Sequence, residues 1–207
     1  VKITAFTLPY ISQYSVGFAG VNSNAYFYNR SINDHIGFGG EKGITLSAWV
    51  ITNVTGSQRL WDTRNGASTG FFCGWIDPDG SPELFCTFMD GGAGVDSGAG
   101  IAGDPKFAFV TVVINSTKGT VYINGTQAGD GATLTLTASD KGNNFTIGKT
   151  NDIGSNWLNG RIGYMSVWNR TLGELEIRHE MTYGINNTFD APASDTTKPI
   201  GNTSFNL

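Results

Sequence analysis

The side chains best suited to chemistry in this sequence are few and scattered. Five glutamates, Glu41, Glu83, Glu174, Glu176 and Glu180, are the first candidates for acid–base work. Three of them fall in residues 171–184, which read as a helix, while Glu41 and Glu83 occupy loop or hairpin positions with no carboxylate two residues away. Two carboxyl groups projected from alternate positions of one strand, as retaining glycoside hydrolysis needs, are therefore missing. His35 and His179 are too far apart to suggest a zinc cluster, and "HEMTY" lacks the second histidine of a zinc-protease helix. "GAGIAG" at 98–103 has G-x-G-x-x-G spacing, but it follows a loop and runs into Asp104-Pro105, so it reads as loop rather than as a dinucleotide turn.

Oxygen-rich loops are the richer signal. "DPDGSPE" offers Asp77, Asp79 and Glu83, and "MDGGAGVDSG" offers Asp90 and Asp96, two places where calcium could be held or where Asp, Pro and Gly simply make turns. Asp90 and Asp96 are the calcium candidates carried forward, and calcium is the one cofactor in view. Loops 90–103 and 150–157 together supply Asp90, Asp96, Asn151, Asp152, Asn156 and Trp157. An aromatic platform beside carboxylates, carboxamides and backbone amides is the mixture a sugar site uses, so these six are the candidate carbohydrate-binding residues.

Two further features bear on where the protein works. Cys73 and Cys86 are the only cysteines. If the hairpin between them turns at 77–82, Ile76 pairs with Glu83 and the cysteines face each other, as a cross-strand disulfide requires; a one-residue slip would leave two small buried hydrophobes. Eight Asn-x-Ser/Thr sequons, at Asn29, Asn53, Asn115, Asn124, Asn144, Asn169, Asn186 and Asn202, exceed the roughly three that chance gives at this composition. They are glycosylation candidates on an exported protein, although Asn124-Gly125 is also ordinary hairpin-turn chemistry.

The elements that must position these residues are strands. "ITLSAWVI", "GFFCGWI", "ELFCTFM", "FAFVTVVI", "GTVYING", "TLTLTA", "NFTIG" and "RIGYMSVW" are short, rich in β-branched and aromatic residues, and separated by turn residues. That is the pattern of an antiparallel two-sheet sandwich. One helix is expected in "TLGELEIRHEMTYG", capped by Thr171 with Glu174 three residues on, striped by Leu172, Leu175, Ile177 and Met181, and ended by Gly184. With 29 glycines, 14% charged residues and a net charge of -4, the chain is turn-rich and poor in clustered cations, which excludes nucleic acid as a partner. Its longest apolar stretch, 107–114, is too short for a membrane helix of about 20 residues. No repeat of solenoid or propeller period is visible. The opening "VKITAF", without Met or an apolar leader, suggests that an N-terminal piece was removed or left out.

The order of segments resembles the laminin-G-like members of the concanavalin A-like lectin/glucanase superfamily over about residues 15–185. "SVGFAGVNSNAYFYN", "GITLSAWV", "KFAFVTVVINSTKGTVYINGTQAG" and "NFTIGK" follow in the family's order, and "WLNGRIGYMSVWNRTLGELEI" closes it, with Trp168, Asn169 and Arg170 as its aromatic-Asn-Arg signature. The resemblance implies a jelly-roll sandwich of two antiparallel sheets and places Trp157 inward. Where the family has a Trp-His pair before the hairpin, this sequence reads Lys106, Phe107, Ala108. Phe107 stands in for the aromatic anchor, and no role passes to the missing His. Trp49, Trp168, Phe107 and Phe109 lie within apolar runs and are expected in the core.

The chain is therefore expected to be all-β, with an N-terminal arm or added strand at 1–14, the jelly-roll domain at 15–186 and a polar tail at 187–207. The functional expectation is a non-catalytic lectin-like module, extracellular or on a cell or virion surface, that binds a glycan or surface polysaccharide. The alternative is a structural subunit of a virion or extracellular filament, assembling with copies of itself or a scaffold through the arm.

Overall fold

The computed structural model describes residues 16–19, 25–27, 43–52, 56–64, 70–76, 83–88, 94–96, 106–115, 118–133, 145–150 and 156–184. One six-stranded antiparallel sheet, the front sheet, is ordered β1 (Val16–Ala19), β12 (Asn159–Trp168), β3 (Ile44–Thr52), β8 (Lys106–Ile114), β9 (Lys118–Ile123) and β10 (Thr126–Thr133). The back sheet is ordered β2 (Ala25–Phe27), β11 (Phe145–Ile147), β4 (Gln58–Asp62), β5 (Phe71–Ile76), β6 (Glu83–Phe88) and β7 (Gly94–Asp96). A single described helix, α1 (Glu174–Tyr183), follows β12.

Alternation explains the sandwich. Along β3 and β8, Leu46, Ala48 and Val50 pair with Val112, Val110 and Ala108 and point to the interior, where they meet Leu60, Trp61, Cys73, Trp75, Leu84 and Phe145 of the back sheet. β5 and β6 pair in the register that the hairpin arithmetic gives, Ile76 with Glu83 and Cys73 with Cys86. The two cysteines form a disulfide and are fully buried. The other hairpin turns at Asn124 and Gly125, whose φ angles of 51° and 72° fit the left-handed pair that joins two twisted strands.

Four sequence expectations need correction. β7 is a strand within the stretch 90–103 read as loop, so Asp96 is a strand residue, and β4 is a strand that the apolar runs did not include. α1 starts two residues later than the Thr171 cap implies: Gly173 is the N-cap, and its N–H donates to the Glu176 carboxylate at 2.8 Å. Phe107 is not in the core but 38% exposed, and Trp49 and Trp168 are only half-buried, on the outer face of the front sheet; Phe109, also on that face, is fully buried. Trp157, expected to pack inward, is likewise half-exposed.

Candidate functional site

The outer face of the back sheet carries two arginines packed on a pair of phenylalanines. A bulge in β4 between Arg59 and Trp61 turns both Leu60 and Trp61 into the core, leaving Arg59 and Asp62 on the outer face. Strand register then sets one row across four strands: Arg59 opposite Gly74, Gly74 opposite Phe85, Phe85 opposite Asp96. Gly74 is obligatory there, because a Cβ would lie 2.0 Å from the Gln58 carbonyl oxygen. Gly74 itself is buried, with the β4 backbone packed against it, and stands in the row between Arg59 and the half-buried Phe85.

Beside this row the groups are tightly organised. The Arg59 guanidinium lies 3.9 Å from the centre of the Phe72 ring and that of Arg64 4.5 Å, while Phe72 tilts against Phe85 at 5.8 Å. Asp62, fully buried, receives Arg64 Nη2 at 2.7 Å and the Arg64 backbone N–H at 2.8 Å. Burial pushes its carboxyl above the ordinary value of 3.8, and the hydrogen bonds and charge of Arg64 bring it part of the way back.

One expected loop meets the row at its Arg59 end. Asn156, with φ 53°, points its carbonyl at the Arg59 N–H at 2.9 Å, and Leu158 N–H bonds the Gly148 carbonyl at 2.8 Å. The half-exposed Trp157 between them has the Lys149 ammonium 5.5 Å from its ring centre. Asp96 holds the far end of the row by register. The structure thus brings Asn156, Trp157 and Asp96 to two ends of one cross-strand row, while Asp90, Asn151 and Asp152 lie outside the described residues. Arg59, Phe72 and Phe85 were not foreseen from sequence. The signal for them was an alternation in "FFCGWI" and "ELFCTF" whose outward members are Phe72, Gly74 and Phe85.

Of the sequons, Asn115 accepts the Lys118 N–H on its side chain at 2.6 Å, and the exposed Asn124 accepts the Phe109 N–H at 2.9 Å, so both side chains build turns. Asn169 is half-buried. Asn29, Asn53, Asn144, Asn186 and Asn202 lie outside the described residues, as do Asp77, Asp79, Glu41, His35 and segments 1–14, 98–103 and 187–207. Among the described residues no group of three or more His, Cys, Asp or Glu is placed to hold a metal ion.

The opposite face of the molecule holds the other carboxylate that is buried among the described residues. Glu180, on the inward side of α1, accepts hydrogen bonds from Ser47 Oγ at 3.0 Å, Tyr164 OH at 2.9 Å, Trp168 Nε1 at 3.0 Å and Ser166 Oγ. Burial and the negative charge of Glu180 raise the Tyr164 phenol well above its usual range. Four donors on one carboxylate, under a helix, make a structural acceptor rather than an acid–base group. His179, on the other side of α1, is half-exposed with its ring 4.8 Å from that of Tyr183.

Comparison with known proteins agrees with this architecture. A laminin G family model, described as the concanavalin A-like lectin/glucanases superfamily, matches residues 22–178. Among solved structures, the heptameric SAP-like pentraxin of Limulus polyphemus superposes with a TM-score of 0.58 at 13% identity, over 84% of this chain and 82% of its own. The CBM40 of the Ruminococcus gnavus IT-sialidase, bound to α2,3-sialyllactose, gives 0.58 at 14% identity over 82% of this chain and 99% of its own. The leech intramolecular trans-sialidase gives 0.57 at 15% identity over 84% of this chain but only 28% of its own. No curated protein sequence matches the chain.

Proposed function

Because the chain belongs to the laminin-G-like part of the concanavalin A-like lectin/glucanases superfamily, we propose that it is a non-catalytic glycan-binding module that uses the outer face of its back sheet. The observation that carries this reading is the row from Arg59 across Gly74 to Phe85. A sugar ring lying against the half-buried Phe85 would turn an apolar face towards that ring and its hydroxyls towards polar groups. Asn156 and Trp157 extend the site at the Arg59 end and Asp96 at the other. Similarity to a carbohydrate-binding module crystallised with sialyllactose supports a glycan ligand.

Catalysis is not part of the proposal. Asp62 is held by Arg64 and Glu180 by four donors on the far side of the molecule, so neither forms the carboxylate pair that glycoside cleavage needs. An extracellular or surface location fits a disulfide between two buried cysteines together with eight sequons.

The test is a glycan array followed by titration of the best binder against Phe85→Ala, Trp157→Ala and Arg59→Lys. Phe85→Ala should weaken binding at least tenfold, since aromatic stacking on a sugar contributes roughly 1.5 kcal/mol, and Trp157→Ala should weaken it less. A glycan held with unchanged affinity by all three folded variants would place the site elsewhere.

A further inference from the structure

Two sequons lie wholly within the described residues, Asn124-Gly125-Thr126 and Asn169-Arg170-Thr171, and the fold treats them differently. Asn124 stands in the turn between β9 and β10. Its backbone N–H donates to the Phe109 carbonyl at 2.7 Å, and its Oδ1 accepts the Phe109 N–H at 2.9 Å. Phe109 is therefore held by the backbone and by one end of the carboxamide, the oxygen. The other end, Nδ2, donates to no described residue, and Asn124 is exposed. Thr126 is exposed as well, so both residues that define the acceptor stand in solvent. The inner side of the turn belongs to α1. A Cβ on Gly125 would lie 2.8 Å from Arg178 Cγ, and the Gly125 carbonyl accepts Arg178 Nε at 3.0 Å. Arg178 is itself paired with Glu174, so the turn is seated and Asn124 is left on its outer side.

The chemistry of N-glycosylation suits this arrangement. A bond forms between Nδ2 and the anomeric carbon of a sugar while the bond from that carbon to a diphospholipid carrier breaks; one amide proton is released and the diphospholipid leaves. Oδ1 keeps its lone pairs, so the hydrogen bond from Phe109 N–H survives the modification. Asn169 is placed in the opposite way. It is half-buried, as is Thr171, and the residues around it are engaged: Trp168 Nε1 with Glu180 at 3.0 Å, Arg170 Nη2 with Glu176 at 2.8 Å, and the Arg170 carbonyl with Thr45 Oγ1 at 2.9 Å. A bulky sugar there must displace groups that seat the helix. We propose that Asn124 is an N-glycan attachment site, served by a lipid-linked oligosaccharide donor, and that Asn169 stays bare. The turn lies against α1, on the face away from the Arg59–Phe85 row, so an attached glycan leaves that row open and the two readings fail separately.

The experiment uses the full chain, secreted from a glycosylating eukaryotic cell behind a cleavable leader. Glycans are released by a peptide amidase in heavy-oxygen water, which converts each glycosylated asparagine to a labelled aspartate. Trypsin then yields peptide 119–141, whose only sequon is at Asn124, and peptide 162–170, which contains Asn169. The expected result is label on 119–141 in most copies and on 162–170 in few or none. Because Asn-Gly also deamidates on its own, a sample kept in heavy-oxygen water without the amidase supplies the blank. Thr126→Ala removes the acceptor and leaves both Phe109 hydrogen bonds in place, so it should abolish the label on 119–141 and take one glycan from the intact mass. Asn124→Asp, which keeps an oxygen for the Phe109 N–H, gives a second bare control. An unlabelled 119–141 in wild type, a label that persists in Thr126→Ala, or equal labelling of 162–170 would overturn the assignment.

Discussion

At Glu180 the chain places a carboxylate on the side of α1 where an apolar residue would continue the stripe of Leu172 and Ile177, and the sheet beneath answers with Ser47, Tyr164, Ser166 and Trp168. Such a group specifies one seating of the helix, because any other rotation leaves buried donors without an acceptor. Glu180→Leu should therefore cost about 3 kcal/mol or more in urea unfolding, most of it from the buried Ser47 and Ser166 hydroxyls. Glu180→Gln, which keeps an oxygen for Tyr164, Ser166 and Trp168, should cost less than half of that. Equal losses would mean that charge, not hydrogen-bond geometry, holds the helix. Asp62 invites the opposite pH argument from a salt-bridged carboxylate. Its folded pKa is raised by burial despite Arg64 at 2.7 Å, so between 3.8 and the raised value the native state binds more protons than the unfolded state. Stability from this group consequently falls as pH rises through that window and returns on acidification. Chemical unfolding of wild type and Asp62→Asn from neutrality down to the ordinary carboxylate range should show this slope only in wild type. A slope of the other sign would show that the Arg64 pair outweighs burial.

Elements with clean alternation were legible in the sequence, and those with a local irregularity were not. β3, β8 and β12 carry nine or ten residues of regular pattern and stand where the apolar runs place them. β4 was missed because its bulge puts Leu60 and Trp61 on one face, which breaks the period of two. β7 has three residues, too few to show a period. The site suffered similarly: oxygen-rich loops announce themselves in sequence, but the Arg59–Gly74–Phe85 row exists only once three strands pair, a non-local fact. Gly74→Ala tests how strictly that row is built. With its Cβ 2.0 Å from a backbone oxygen, the substitution must part β4 from β5, and a loss of at least about 3 kcal/mol is expected by thermal unfolding. The helix start offers the reverse. Gly173 caps α1 with no side-chain hydrogen bond and has room for a Cβ, with the Glu176 carboxylate the nearest atom at 3.8 Å. Gly173→Ser should stabilise by roughly 0.5 kcal/mol, through a cap to the first turn and a less free unfolded chain.

On the scale of the whole molecule, the two faces of the sandwich have different assignments. The front sheet spends its outer face on α1 and the Glu180 network, and the back sheet keeps its outer face for the Arg59–Phe85 row. The disulfide joins β5 to β6, the strands that carry Phe72, Gly74 and Phe85, and it lies on their inner side with both cysteines fully buried. It thus clamps the sheet that carries the proposed site without touching a ligand there. Two consequences separate this structural role from a redox one. Replacing both cysteines by alanine removes a link between residues 13 apart, which is worth about 3 kcal/mol in the chain-entropy view. For a chain of this size that is a fall of roughly 6–12 °C in melting temperature, with the glycan preference retained at temperatures where the variant is folded. In wild type, the burial of both sulfurs means that a thiol must wait for the back sheet to open. Intact mass in dithiothreitol should therefore gain two protons only when urea is present. If reduction were as fast in native buffer, β5 and β6 would be separating within the folded protein, and the proposed site would be one that has to assemble around its ligand.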